Sequence, residues 1–399
     1  MLRPVTGEGL VLLGATGSIG ASAIDVVRDL GDRFRIVGLS CLRGWRELDR
    51  IARETGAEAV AIADPEAWRE ARAEGAFATV ECLGGPEGVA ELARLASAGT
   101  VLNGVVGAAG LGPTLAALEA GKRVALANKE SLVVGGELVV RAAGGGDRLR
   151  PVDSEHNAIW QLLDGRPEGS VRRIVLTASG GPFRGYSAER LARVTPEEAL
   201  AHPTWSMGPK ITIDSATLAN KGLEVIEAHH LFGFDYDRID VVIHPQSIVH
   251  GLVECMDGTL FAELGEPDMR SPIRAALTWP ERVANGGRVD LTRLSGLTFE
   301  APDAERFPAL GIARAAGRAG GTAPAVFNAA NEVAVSAFLA GRIAFPQIPA
   351  ICDRVLGEHD VKPADSVETL LEADRWARER AGQRAGFDAG VNRKCRPFS

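Results

Sequence analysis

Over the first third of the chain, short apolar runs alternate with stretches of helical periodicity. Residues 10–13, 35–39, 59–63, 101–106 and 123–127 read as buried strands. Between them, 21–30, 45–55 and 86–98 repeat apolar positions every three to four residues, and 131–143 forms a further helix closed by glycines 144–146. Strand–helix alternation of this kind predicts a doubly wound, Rossmann-like parallel sheet over residues 1–150. From 151 the texture changes. Strand-like runs at 173–177, 210–214, 240–243, 248–254 and 259–263 mix with helices and a polar loop at 202–208, predicting a central α+β domain over 151–279. Polar, Gly-containing sequence at 280–303 reads as a linker. Beyond it, helical patterns at about 304–318, 323–341, 346–357 and 366–384 predict a C-terminal helical bundle within 304–399.

At 399 residues the chain is too long for one ordinary core, in keeping with that division. Its 46% hydrophobic and 24% charged residues are those of a folded globular protein. A net charge of −8 argues against nucleic acid or an anionic membrane as the main partner, but leaves room for a small anionic substrate met by local cations. No apolar run reaches the ~18–20 residues needed to span a bilayer. The first run, 10–13, is also far too short for a signal peptide. The five cysteines (41, 82, 255, 352, 395) are scattered without a C-x-x-C pair. A reduced, cytoplasmic protein is expected, with each Cys a small core residue before it is a ligand or nucleophile.

The first strand runs into Gly14-Ala15-Thr16-Gly17-Ser18-Ile19-Gly20. Glycines at a strand–helix junction let the backbone turn tightly and approach a pyrophosphate, while the helix N-terminus favours negative charge. The second strand ends Leu39-Ser40-Cys41-Leu42-Arg43-Gly44, without the acid that holds an NAD ribose. Ser40 and Arg43 would welcome a 2′-phosphate, so NADPH is expected over NADH.

Residues 151–157 read Pro-Val-Asp-Ser-Glu-His-Asn. If 152–155 are extended, Asp153 and Glu155 point the same way, and two carboxylates that close call for a cation or proton between them. Glu224, in Asn220-Lys221-Gly222-Leu223-Glu224, offers a third. Three hard oxygen ligands suit Mg²⁺ or Mn²⁺ better than Zn²⁺. A helix over 217–231 would put Asn220, Lys221 and Glu224 on one side, a face that suits a polar ligand and equally suits solvent. Ser215, just before that helix, and the turn Ser179-Gly180-Gly181-Pro182 are both fit to hold an anion, although each also serves as a plain cap or turn. His229-His230 point about 100° apart on a helix, and His244 and His250 lie too far apart in extended chain to share an ion. All four read as structural or interface residues, with His250 a supporting group at most.

Gly14–Gly20, Ala127-Asn128-Lys129-Glu130-Ser131, Asp153-Ser154-Glu155-His156, Ser179-Gly180-Gly181-Pro182-Phe183, His202-Pro203-Thr204-Trp205-Ser206-Met207-Gly208, Asn220–Glu224, His244-Pro245-Gln246-Ser247 and Gly265-Glu266-Pro267-Asp268-Met269-Arg270, in that order, resemble the 1-deoxy-D-xylulose 5-phosphate reductoisomerase family. The resemblance implies an NADPH- and divalent-cation-dependent homodimer of the non-mevalonate isoprenoid pathway. Its reaction would be a skeletal rearrangement followed by hydride transfer, giving 2-C-methyl-D-erythritol 4-phosphate. By matching motif, it implies metal ligation by Asp153, Glu155 and Glu224, and substrate-hydroxyl contacts from Lys129, Ser154, Glu155 and Asn220. It implies a phosphate site of Ser179, His202, Ser215, Asn220 and Lys221, and NADPH contacts from Thr16, Gly17, Ser18, Ile19, Asn128, Glu130 and Gly208. Trp205 and Met207 would belong to a lid, and Lys129 would stabilise an oxyanion or relay a proton. The second-strand end departs from the family pattern: Arg43 keeps the charge, and Gly44 lacks the amide usual there. Two rivals stand beside this reading. An ordinary NADP-dependent dehydrogenase would need a nucleophilic Cys. A non-catalytic NADP-sensing regulator would need no three carboxylates.

Overall fold

The computed structural model describes residues 7–284 and 287–386. The first layer runs β1 (Glu8–Leu13), α1 (Ser18–Leu30), β2 (Phe34–Cys41), α2 (Trp45–Thr55), β3 (Ala59–Ile62), α3 (Pro65–Ala73), β4 (Glu81–Gly84), α4 (Gly85–Ala93), β5 (Thr100–Asn103), α5 (Leu111–Glu119), β6 (Arg123–Leu126), α6 (Glu130–Ala143) and β7 (Leu149–Pro151). All seven strands are parallel, in the order β4-β3-β2-β1-β5-β6-β7. Strand order reverses between β1 and β5, so the crevice for a ligand opens beyond the carboxyl ends of those two strands. Leu10, Leu12 and Leu102 face one buried layer and Val11, Leu13 and Val101 the other, which is why these runs are apolar throughout.

The second layer holds α7 (Ser154–Leu163), β8 (Val171–Ala178), two short helices α8 (Ala188–Leu191) and α9 (Pro196–Leu200), then α10 (Pro209–Thr217), α11 (Ala219–Phe232), β9 (Ile239–Ile243), β10 (Val249–Cys255) and β11 (Leu260–Leu264). Its sheet, β11-β10-β8-β9, is antiparallel except for β8–β9. Helix α12 (Arg270–Thr278) returns to the first core through Ile273, Ala276 and Leu277. Four helices follow: α13 (Ala309–Ala319), α14 (Ala323–Leu339), α15 (Gln347–Gly357) and α16 (Val367–Arg384). They share one continuous apolar core with the second layer, in which Ala313, Phe327 and Phe338 join Leu223, Ile226 and Ile174. At the α11–α13 crossing, a Cβ on Gly222 would lie 2.4 Å from that of Ala313, so only glycine admits the contact. Among the described residues no helix is long and apolar enough to cross a membrane.

Three expectations are corrected. Residues 210–214 alternate like a strand but form α10, with Pro209 in its first turn. Lys210, Thr212, Ile213 and Asp214 are all buried, which leaves no solvent face to betray the helical period. Residues 152–155 are not extended, since α7 begins at Ser154 with Asp153 at its N-cap. Asp153 and Glu155 therefore do not approach by strand alternation. The expected helix over 217–231 starts at Ala219, and Leu218 makes a left-handed joint (φ 63°) with α10, so Ser215 lies in the last turn of the preceding helix. Cys395 lies outside the described residues.

Candidate active site

The loop after β1 is built for close approach. Gly14 has φ +79°, and a Cβ there would sit 2.7 Å from the Gly104 carbonyl oxygen of the loop after β5. On Gly20 a Cβ would come within 2.3 Å of the Ala15 carbonyl, fixing how tightly α1 leaves the loop. Gly17 N-caps α1 without a side chain, leaving Thr16, Gly17, Ser18 and Ile19 around a helix N-terminus with no acid in its first turn. Ser40 is corrected: it is buried, and its hydroxyl accepts from Gly14 N at 3.1 Å, so it holds the loop and does not face a ligand. Arg43 is half exposed and is gripped by Asp64, from Nε at 3.1 Å and Nη2 at 2.8 Å. Asp64 uses its other oxygen to cap α3, accepting from Glu66 N and Ala67 N.

Asn128 turns inward. Its Nδ2 donates to the carbonyls of Val105 (2.8 Å) and Gly107 (2.9 Å), clamping the loop after β5 to the one after β6. Glu130 opens α6 and accepts from Lys210 Nζ at 2.8 Å. Gly208 N-caps α10.

Below these loops lies a buried charge cluster. Lys129 Nζ sits 2.5 Å from Asp153 Oδ2, 3.0 Å from Glu224 Oε1 and 2.8 Å from Asn220 Oδ1. Lys221 Nζ meets Glu155 Oε1 at 2.8 Å and also bonds Glu224. Asn220 Nδ2 donates to Glu224 Oε1 at 2.5 Å, and Ser154 Oγ to Glu155 Oε2 at 2.6 Å. Three carboxylates thus surround two ammonium groups. Burial and the neighbouring Asp153 and Glu155 carboxylates push Glu224 above the usual range, Lys129 and Lys221 pulling the other way. Burial works against the charge of Asp153 too, but Lys129 and His156 outweigh it and hold this carboxyl well below the usual range. The ammonium of Lys129 stays protonated because Asp153, Glu224 and Glu227 overcome the cost of burying it.

Among the described residues, Asp153, His156 and Glu224 offer donor atoms all within 4.8 Å of one another. His156 nonetheless makes a poor ligand. Its Nε2 donates to the Glu224 carbonyl at 2.8 Å, and its Nδ1 faces Asp153 Oδ1 at 3.1 Å and Glu227 Oε2 at 3.5 Å. Burial opposes its charge, yet Glu227 and Asp153 push the imidazole up to about 9, so it is an imidazolium that orients Asp153. Glu155 joins the Asp153–Glu224 pair through Lys221. A hard cation suits this oxygen set: its charge would replace the ammonium groups that now separate the carboxylates.

Ser179 and His202 come together, and the 179–182 turn packs on α10 at the Ser215 backbone. His202 Nδ1 accepts from the backbone N–H of Thr204 (3.1 Å) and Trp205 (2.9 Å), so its proton sits on Nε2 and is offered to Ser179 Oγ at 2.9 Å. Gly181, at φ +66°, presses the 179–182 turn onto α10, a Cβ there lying 3.0 Å from the Ser215 carbonyl. Neutral donors of this kind suit an anion. Met207 and Trp205 lie in the segment leading into α10, the Trp205 ring 6.1 Å from that of His250. His244 and His229 are tied to backbone carbonyls. His244 bonds Thr298 O at 2.9 Å, and His229 bonds Phe234 O at 2.7 Å. Burial pushes the Cys41 thiol up to about 12 and raises that of Cys352 as well, which removes both as nucleophiles. Sequence reasoning missed Asp64, His156, Glu227 and Glu332, of which only His156, inside a quoted motif, carried any signal.

Residues 10–136 match the family profile described as 1-deoxy-D-xylulose 5-phosphate reductoisomerase, and residues 149–232 and 264–380 match two profiles for its C-terminal domains. A reductoisomerase of that name from Rhodococcus jostii is 54% identical over 378 residues, covering 94% of this chain and 93% of that protein. One from Thermosynechococcus vestitus is 52% identical over 379 residues, covering 93% and 91%. The Zymomonas mobilis enzyme in complex with NADPH superposes with a TM-score of 0.87 at 43% identity, covering 95% of this chain and 99% of that one. A reductoisomerase in complex with NADPH, fosmidomycin and magnesium gives 0.86 at 38% identity, covering 97% and 99%.

Proposed function

The chain belongs to the 1-deoxy-D-xylulose 5-phosphate reductoisomerase family of NADP-dependent oxidoreductases, and we propose that it converts 1-deoxy-D-xylulose 5-phosphate to 2-C-methyl-D-erythritol 4-phosphate. The observation that carries this reading is the buried cluster of Asp153, Glu155 and Glu224, crossed by two ammonium groups and flanked by the Ser179–His202–Ser215 cradle. Asp153, Glu155 and Glu224 would hold Mg²⁺ or Mn²⁺, and the loop at 14–20 with Arg43, Asn128, Glu130 and Gly208 would hold NADPH. When bound, the cation supplies Lewis acidity toward neighbouring substrate oxygens and NADPH the hydride.

The protein's own groups bind and orient. Lys129 lies between Asp153 and Glu224, where its fixed positive charge meets an oxygen that becomes anionic during the rearrangement. Ser154 and Asn220 present hydrogen-bonding groups at the same place. The phosphate takes no part in bond changes. Its capture by Ser179, His202 and Ser215, with Asn220 and Lys221, orients the reacting end. The apolar edge strand β11, with Leu260, Phe261 and Leu264 exposed, offers the surface for a homodimer.

The test is NADPH oxidation with 1-deoxy-D-xylulose 5-phosphate, with and without EDTA. Substrate-dependent oxidation that EDTA abolishes is expected. Oxidation indifferent to EDTA would sink the cation site, and none at all the activity. Arg43→Ala is expected to weaken NADPH by about 1–2 kcal/mol, the worth of a charge-assisted contact, and to leave NADH nearly unchanged. Fluorescence titration of both cofactors reads this. Equal weakening would show that Arg43 acts through its bond to Asp64 instead.

A further inference from the structure

A second buried polar cluster, apart from the carboxylate site, joins the first layer, α10 of the second layer and the C-terminal helices α14 and α16. Lys210 Nζ bonds Glu130 Oε1 at 2.8 Å and Asp214 Oδ2 at 3.0 Å. Asp214 accepts from Asn331 Nδ2 of α14 at 2.7 Å. One residue on, Glu332 accepts from the backbone N–H of Ala108 at 3.3 Å and from Asn328 Nδ2 at 3.0 Å, while its other oxygen meets Arg378 of α16 at 2.7 Å. The ring closes through Asn128, whose Nδ2 also lies 3.2 Å from Glu130 Oε2 while it holds the carbonyls of Val105 and Gly107. Gly107 is at φ +77°, and a Cβ there would stand 2.8 Å from Glu332 Oε1. Lys210, Glu332, Asn331 and Asp214 are each 3% exposed or less.

A core helix has no need of a lysine, and burying one costs free energy unless its partners are fixed. Here the partners lie on different layers. Glu130 opens the helix after β6, and Ala108 lies in the loop after β5, on the flank of the nucleotide crevice where Gly104 meets Gly14. Asp214 and Lys210 belong to α10, whose last turn bears Ser215 and whose joint at Leu218 sets α11 with Asn220, Lys221 and Glu224. Moving either side alone would strand a buried charge.

We propose that Lys210 and Glu332 are positioning residues that tie the cofactor loops to the α10–α11 pair, so that dinucleotide and substrate-side ligand bind cooperatively. This rests on the reductoisomerase reading of the two sites. Lys210 holds Glu130 against α10, and Glu332 holds the 105–108 loop against the C-terminal helices. Ordering the cofactor side therefore presets the substrate side, and the reverse, by the same factor.

The test is NADPH affinity, by fluorescence titration, with and without saturating fosmidomycin and Mg²⁺, in the parent chain, Lys210→Met and Glu332→Gln. In the parent, the ternary titration is expected to tighten NADPH by about fivefold or more, the usual range of such coupling. Either variant is expected to bring that factor to within about twofold of unity while each ligand alone loses only a few-fold, since the contacts to the ligands themselves remain. Glu332→Gln keeps the side-chain shape and an oxygen for Ala108 N, so it carries the test if Lys210→Met fails to fold. Variants that keep the parent's factor, a parent without coupling, or loss of folding in both variants would each overturn the proposal. The binary titrations of the parent judge the cofactor reading separately.

Discussion

Glu224→Gln is expected to fold, to bind NADPH within a few-fold of the parent chain, and to turn over on the order of 10²–10³-fold more slowly, as when preorganised charge is removed from an active site. The split follows from the charges. Asp153, Glu155 and Glu224 face Lys129 and Lys221 in a buried space, three negative groups against two positive ones. Burial and its like-charged neighbours already disfavour ionised Glu224. Glutamine keeps the shape and removes a carboxylate charge that its surroundings disfavour, so thermal stability without added cation should hold or rise. NADPH is untouched because the loop at 14–20 belongs to another layer. The loss should sit in kcat, and raising Mn²⁺ should recover little. Near-parental activity at limiting Mn²⁺ would remove Glu224 from the cation site.

Lys221→Met should act on the substrate phosphate. In the ligand-free arrangement its ammonium bridges Glu155 and Glu224. A divalent cation held by those carboxylates would make the bridge redundant and would leave the ammonium, on the first turn of α11, available to an anion at the proposed Ser179, His202 and Ser215 site. Removing it should raise KM for the sugar phosphate by roughly tenfold to a hundredfold, matching the ~1.5–3 kcal/mol of a hydrogen bond to a charged group. kcat should fall as well if phosphate binding orients the reacting end. Mn²⁺ affinity should hold or tighten, because a competing positive charge is gone. The check is a double cycle of two enzymes against two substrates, one lacking the phosphate, with cation and NADPH saturating. If the phosphate-free substrate suffers equally, Lys221 serves the carboxylates alone.

Much of the framework could be read from the chain because its signals are local. A glycine at a strand end followed by a helix marks a tight turn, and α2, α13 and α15 show their period openly. The misreadings share a cause. Lys210-Ile211-Thr212-Ile213-Asp214 alternates and is β-branched, but α10 is enclosed nearly all round, so burial erased the polar face that marks a helix. Asp153 and Glu155 do not stand side by side: each bonds a different lysine, Lys129 at the N-cap of α6 and Lys221 of α11, at sequence separations of 24 and 66, and only Glu224, bonded to both lysines, links them. The grip of Asp64 on Arg43, and that of Glu332 on the loop after β5, are likewise long-range and leave no mark in any short window. Lys129, Lys210 and Lys221 are all buried and paired.

Gly222 sits between Lys221 and Leu223, and its bare face meets Ala313 of α13. The helix that presents Asn220, Lys221 and Glu224 is therefore calibrated from behind, by how closely two backbones cross. A single methyl there would tilt the tools of the reaction without touching them. The helices from 309 to 384 are thus less a cap than a gauge block, and swapping them for those of a relative would reset the spacing of the carboxylates even with every one of them in place.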